Sequence, residues 1–206
     1  MNVPHLPLAA EEGAPEEAAA LFARFHQKFG PAPLPRCLVA AGSSPTIFRD
    51  AMLNLEKVAG PSGALPQAER LTLGVGVAVA LGARSLAAWL DAQAQALGVP
   101  DAVRKAAVEV AVACRTYNHF YKSRSLLDAG PLADTQVQLR ATPFVQSALE
   151  KRLVETLCVA VSVAMGCKSC TTGHVATATQ HGATVAQLDE AIRLQAVIAG
   201  LASLDG

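Results

Sequence analysis

The stretch Leu73-Gly-Val-Gly-Val-Ala-Val-Ala-Leu-Gly-Ala-Arg-Ser85 lines up with Leu157-Cys-Val-Ala-Val-Ser-Val-Ala-Met-Gly-Cys-Lys-Ser169 at a constant offset of 84 residues. Leu97-Gly98 then matches His181-Gly182 at the same offset, each followed by a long helical pattern. A self-similar segment of this length implies two copies of one supersecondary unit. The composition makes that unit helical. Hydrophobic residues are 51% of the 206 and aromatics only 4%, and alanine- and leucine-rich chains favour closely packed helices. Val75–Ala80 alone would also read as a strand, but its counterpart lies in helical surroundings.

Start and stop signals divide the rest of the chain into helices. Glu12 to Lys28 has apolar residues at helical spacing and stops at Gly30, and Pro31-Ala-Pro-Leu-Pro35 is a stiff linker. Ser44-Pro45 reads as a cap and first turn opening a helix to about Val58. Further helices run from Pro66 to about Leu81, from Ser85 to Leu97 and from Asp101 to about Leu127. Residues 128 to 141 form a polar connection, and Thr142-Pro143 opens a helix to about Met165. Cys167 to Gln180 is another helix, and Thr184 to Gln187 has capping-box spacing opening the last one, to about Leu204. The fold class is all-α. Residues 1–34 read as an N-terminal helix and linker, and 35–206 as a duplicated domain with copies at about 45–127 and 142–206.

Charge narrows the function classes. Lys plus Arg equals Asp plus Glu, 17 each, so the net charge is zero. That argues against nucleic acid or an anionic membrane as partner and suits self-association. The longest uncharged apolar run, between Arg70 and Arg84, is below the ~18 residues that span a bilayer. No secretory pattern is read at Met1 to Pro15, so a cytoplasmic protein is expected. Five cysteines, at 37, 114, 158, 167 and 170, are too few and odd in number for a disulfide scaffold.

Chemistry concentrates in the second copy. Gly166-Cys167-Lys168-Ser169-Cys170-Thr171-Thr172-Gly173-His174 carries two thiols and an imidazole, with Glu155 twelve residues before Cys167. Two cysteines at this spacing can close a small disulfide, and a thiol in such a motif has its pKa lowered to about 3.5–7.5. Cys170 and His174, four apart, share one helix face. The pair sits at a helix start, where amide N–H groups favour a thiolate, and Lys168 adds positive charge. Glu155 shares a face with Cys158 and Ser162, so this stripe is expected to face the thiol helix. A Glu buried there would have a raised pKa and serve as an acid. Copy one has Leu71, Ala83, Leu86 and Leu90 at the corresponding positions, so one copy reads as structural and the other as active.

Each residue also has an ordinary reading. Cys37, Cys114 and Cys158 sit among apolar neighbours, as core cysteines do. Glu155 beside Arg152 could be half of a surface ion pair, and His174 a satisfied, partly buried histidine. Zinc on Cys167, Cys170, His174 and His181 or Glu155 is weighed against, because structural zinc sites bring a second ligand pair from farther along the chain. No metal and no cofactor is therefore expected. Tyr117, His119, Phe120 and Tyr121 read as core or subunit contact, with pocket lining as the alternative.

The constellation Glu155, Cys167-x-x-Cys170 and His174 resembles the alkyl hydroperoxidase D family, within the carboxymuconolactone decarboxylase-like group. Val161 to Cys167, the closing helix Asp189–Leu204 and Asn118 to Arg124 share that likeness, which covers roughly residues 45 to 206. The resemblance implies an AhpD-like helical fold, a homo-oligomer (trimer or hexamer) and peroxide reduction by a cysteine pair. It implies that Cys170 attacks the peroxide, that Cys167 resolves the sulfenic acid to a disulfide, and that Glu155 and His174 relay the proton. It also implies an external dithiol reductant, lipoylated proteins being one such donor in the family. Ser169 departs from the pattern, since members can carry histidine there, and the proton relay is then poorer. Rival expectations are a decarboxylase-like lactone enzyme, which would not need two thiols, and a non-enzymatic redox-sensing oligomer.

Overall fold

The computed structural model describes residues 11–127 and 135–205, which form helices with no strand among them. In chain order these are α1 (Glu16–Phe29), α2 (Arg36–Ala41), α3 (Pro45–Ala59), α4 (Gln67–Leu81), α5 (Arg84–Ala96), α6 (Asp101–Ser125), α7 (Thr142–Val145), α8 (Lys151–Met165), α9 (Lys168–Gln180) and α10 (Val185–Ala202). The all-α expectation holds. The readings of Met1 to Pro15 and of residues 128 to 141 lie partly outside the described residues.

α4, α6, α8 and α10 pack against one another at the centre, with α5 laid on α4 and α9 on α8. The close approach of α4 depends on Gly76. A Cβ there would meet the Leu157 side chain at 2.9 Å and the Ala107 carbonyl at 3.0 Å, closer than real Cβ contacts go. Arg70, on the first turn of α4, is fully buried and donates to Glu190 Oε1 of α10 at 2.8 Å, while Glu190 Oε2 accepts from the Leu65 amide at 2.6 Å. This ion pair fastens α4 to α10. Removing one partner of such a buried pair costs about 3–5 kcal/mol. At the N-terminal end, Phe22 and Phe25 of α1 pack on Phe48 of α3, and Phe25 also meets Trp89 of α5 at 5.5 Å between ring centroids.

Most boundaries match their local signals. Thr184 and Gln187 form the reciprocal capping box that opens α10. α4 and α8 each run 15 residues and end at a glycine in the left-handed region, Gly82 and Gly166, where an L side chain would be strained. One expectation needs correction. The single helix from Thr142 to Met165 is interrupted: α7 ends at Val145 and α8 begins at Lys151. In the gap the Ser147 hydroxyl accepts from the Leu149 amide at 3.2 Å, a local alternative to the helical ladder. The short α2, directly after the proline-rich linker, carries no start signal that spacing could reveal.

Candidate functional site

The turn at Gly166 sets the site. It reverses the chain so that Cys167 becomes the N-cap of α9 and Cys170 falls on its first turn, beside the free N–H groups of the helix start. In this state Cys167 and Cys170 are joined as a disulfide, with Cα atoms 5.4 Å apart. Cys167 is buried at 3% exposure, while Cys170 is half-buried. His174 follows one turn after Cys170 on the same helix face. Ser169 and Lys168 between the cysteines are exposed, and Ser169 Oγ lies 3.7 Å from Cys167 Sγ.

α8 packs directly on α9 and presents Glu155 to His174. Nδ1–H of His174 donates to Glu155 Oε2 at 2.7 Å, and Lys151, one turn earlier on α8, holds Oε1 at 2.6 Å. The expected pairing of Glu155 with the thiol helix is thus seen. Its expected acidity is not. Burial alone would push the carboxyl up, but the hydrogen bonds from His174 and Lys151 outweigh it and hold Glu155 below its ordinary value. It is a carboxylate that orients and charges the imidazole. The alternative of an ion pair with Arg152 also fails, because Arg152 turns to Glu69 at 2.7 Å.

Two cysteines that looked like plain core belong to this neighbourhood. Cys114 of α6 and Cys158 of α8 are both fully buried. Cys114 Sγ, Cys158 Sγ and a ring nitrogen of His174 lie within 4.8 Å of one another. Cys114 Sγ also lies 3.7 Å from Ser162 Oγ and accepts from Asn118 Nδ2 at 3.1 Å. The hydrogen bond from Cys158 lowers the Cys114 thiol to about 6 against the effect of burial, and His174 adds to the lowering. Cys158, desolvated and beside Cys114, is raised. Burial would lower His174, but Cys114 and Glu155 on its two sides raise it to about 9. The imidazole is therefore a cation at neutral pH. A signal for this cluster existed in the sequence: Asn118 is a polar residue on the buried stripe Ala107, Val110, Ala111, Cys114 of α6.

Asn118, Glu155, Cys170 and His174 open onto a pocket of about 490 Å³ whose walls include Tyr117, Tyr121 and Phe144, with Cys114 and Cys158 buried behind it. Two of the four aromatic-cluster residues, Tyr117 and Tyr121, line this pocket. Phe144 of α7 meets His174 at 6.2 Å and Tyr117 at 5.8 Å. His119 is exposed, and His181 is the C-cap of α9. A larger groove of about 710 Å³ between α3 and α10 carries no thiol or imidazole.

Comparison with known proteins identifies a family. The sequence model of the carboxymuconolactone decarboxylase family matches residues 131–205. The chain is 34% identical over 158 residues to "Alkyl hydroperoxide reductase AhpD" of Anaeromyxobacter dehalogenans strain 2CP-1, covering 75% of this chain and 82% of that one. The protein of the same name from Anaeromyxobacter sp. strain K is 35% identical over the same shares. That of Mycobacteroides abscessus is 30% identical over 77% of this chain and 89% of its own.

Proposed function

The chain belongs to the carboxymuconolactone decarboxylase family, in its AhpD-like branch, and we propose that it reduces peroxides through the Cys167–Cys170 pair. The observation that carries this reading is one shared pocket wall. Cys170 and His174 face the same cavity, with Glu155 behind the imidazole. A peroxide bond breaks when a thiolate attacks one oxygen and the other departs with a proton, so a nucleophile and an acid must meet the substrate together.

The steps follow from the positions. In the reduced protein, Cys170 at the α9 N-terminus attacks the peroxide oxygen and becomes a sulfenic acid, and the alkoxide leaves with a proton from the His174 imidazolium. Cys114 and Glu155 favour the charged imidazole, and Glu155, itself held by Lys151, orients it, so Glu155 is a positioning residue. The Cys167 thiol then attacks the sulfenic sulfur, water departs and the disulfide closes. An external dithiol, of which a lipoyl group is the kind the resemblance implies, takes up the oxidising equivalents and regenerates two thiols. The recurrence of α4–α5–α6 as α8–α9–α10 at an offset of 84 supports duplication of one helical unit with a single reactive copy.

Peroxide consumption with a dithiol donor tests the reading. The parent should turn over and Cys170→Ser should not. Equal rates for the two proteins would overturn it in favour of a redox-sensing role.

A further inference from the structure

We propose that Cys114, Cys158 and His174 form a binding site for a thiophilic divalent metal ion, zinc in the first instance, distinct from the Cys167–Cys170 pair. Three observations on three elements converge. The first is ligand placement. Tetrahedral zinc, with bonds of about 2.3 Å to sulfur and 2.0–2.1 Å to nitrogen, sets its ligand atoms about 3.5–3.8 Å apart. The two sulfurs and the ring nitrogen already lie within 4.8 Å of one another. Closing on an ion requires shifts of about an ångström at most.

The second observation is the surrounding shell. A metal-ligating histidine characteristically gives its other ring N–H to a carboxylate, which fixes the ring and its tautomer. Glu155 fills that place at 2.7 Å from Nδ1, leaving Nε2 for an ion. Asn118 donates to Cys114 Sγ at 3.1 Å, and the Ser162 hydroxyl lies 3.7 Å from the same sulfur. Such donors support a metal-bound thiolate.

The third is an unmet acceptor. Asn118 is 1% exposed, and its Oδ1 has no hydrogen-bond partner among the described residues. A buried carbonyl of this kind carries a free-energy cost unless a donor reaches it. Asn118 and His174 both line the pocket, so water can enter from there. A water in the fourth coordination position would supply the missing donor. The site is then of the open kind, with three protein ligands and one exchangeable position.

Packing does not demand these groups. The residues 84 positions earlier or later are Ile198 for Cys114, Gly74 for Cys158 and Leu90 for His174, and a Cβ on Gly74 would sit 3.2 Å from Leu90 and 3.6 Å from Ile198. The same niche in the other half is filled by hydrocarbon. Binding itself is a proton exchange without redox change: the ion displaces whatever protons the two sulfurs and His174 Nε2 carry, so that both cysteines bind as thiolates and the histidine as a neutral imidazole.

Cobalt(II) is the spectroscopic probe. It is added anaerobically to two proteins, the parent with its Cys167–Cys170 disulfide closed and the Cys167→Ser/Cys170→Ser variant. Both should take up one equivalent, with thiolate-to-cobalt charge transfer and the strong visible bands of a tetrahedral site, and zinc should bleach them. Cys114→Ser and Cys158→Ser should each lose most of the charge-transfer intensity. X-ray absorption on the zinc-loaded Cys167→Ser/Cys170→Ser protein provides a readout that needs no change in the core. Two sulfurs with nitrogen or oxygen in the first shell support the site. A first shell without sulfur, or charge transfer only when Cys167 and Cys170 are present and reduced, overturns it. These outcomes do not depend on turnover, so failure of the peroxidase reading would leave them interpretable.

Discussion

In α4 and α5 the positions 84 residues before Glu155, Cys170 and His174 are held by Leu71, Leu86 and Leu90, at 2%, 0% and 0% exposure. In α8 and α9 the same places hold a carboxylate, a sulfur and an imidazole, and their surroundings differ accordingly. Glu155 needs Lys151 and His174 as partners to be buried, and His174 needs Glu155. Leu71 and Leu90 need only neighbours of the right volume. Three helix starts recur at the same offset: Gln67 and Lys151, Arg84 and Lys168, and Asp101 and Val185. The frame is thus indifferent to what fills these positions. One set of positions is filled with hydrocarbon and the other with groups that are costly to desolvate unless partnered.

The sharpest way to break this contrast is at the nucleophile. Cys170→Ser should abolish peroxide turnover with helicity intact, whereas Leu86→Ala should leave turnover per folded molecule unchanged. Next in size is the acid. His174→Gln should lower the peroxide rate by about 10²–10⁴-fold, and a loss under tenfold in a stopped-flow assay would remove His174 from proton donation. Its counterpart Leu90→Ala should instead cost about 2–5 kcal/mol in denaturant unfolding, the range for emptying a buried leucine site.

The pH dependence sharpens the same contrast. His174 is raised from 6.5 to about 9. The stability it contributes is fully present below pH 6.5 and is lost as pH rises through about 9. In chelator-treated protein, peroxide reactivity should fall over that upper limb. Glu155→Gln removes one of the groups that raise the imidazole, so it should move the fall to lower pH. An unmoved limb would detach the carboxylate from the imidazole. The smallest effect expected is thermal: the Tm gap between the parent and His174→Gln should narrow from pH 6.5 to 9, while that between the parent and Leu90→Ala should stay constant.

Where the sequence was readable, local chemistry explains why. Gly82, Gly166 and the Thr184–Gln187 box mark helix ends by backbone requirements that no distant contact overrides. The approach of Glu155 to His174 followed from helical stripes alone. The charge state of Glu155 does not, because it is set by its partners Lys151 and His174 against the effect of burial. Cys114 and Cys158 were hidden for a different reason. They are 44 residues apart and meet only because α6 packs on α8. In the break before α8 a serine hydroxyl accepts a backbone hydrogen bond, a local contact that residue spacing does not signal.

That break has a consequence for what the pocket can admit. Because α7 is a separate short helix, Phe144 comes back over Tyr117 and His174 on its own segment, tethered by the hydrogen bond from Lys151 Nζ to its carbonyl at 3.3 Å. This part of the pocket wall and the helices α8 and α9, which carry Glu155, Cys170 and His174, are thus separate pieces. Selection can reshape the doorway by exchanging one aromatic ring or resizing one connector, with the sulfur machinery untouched.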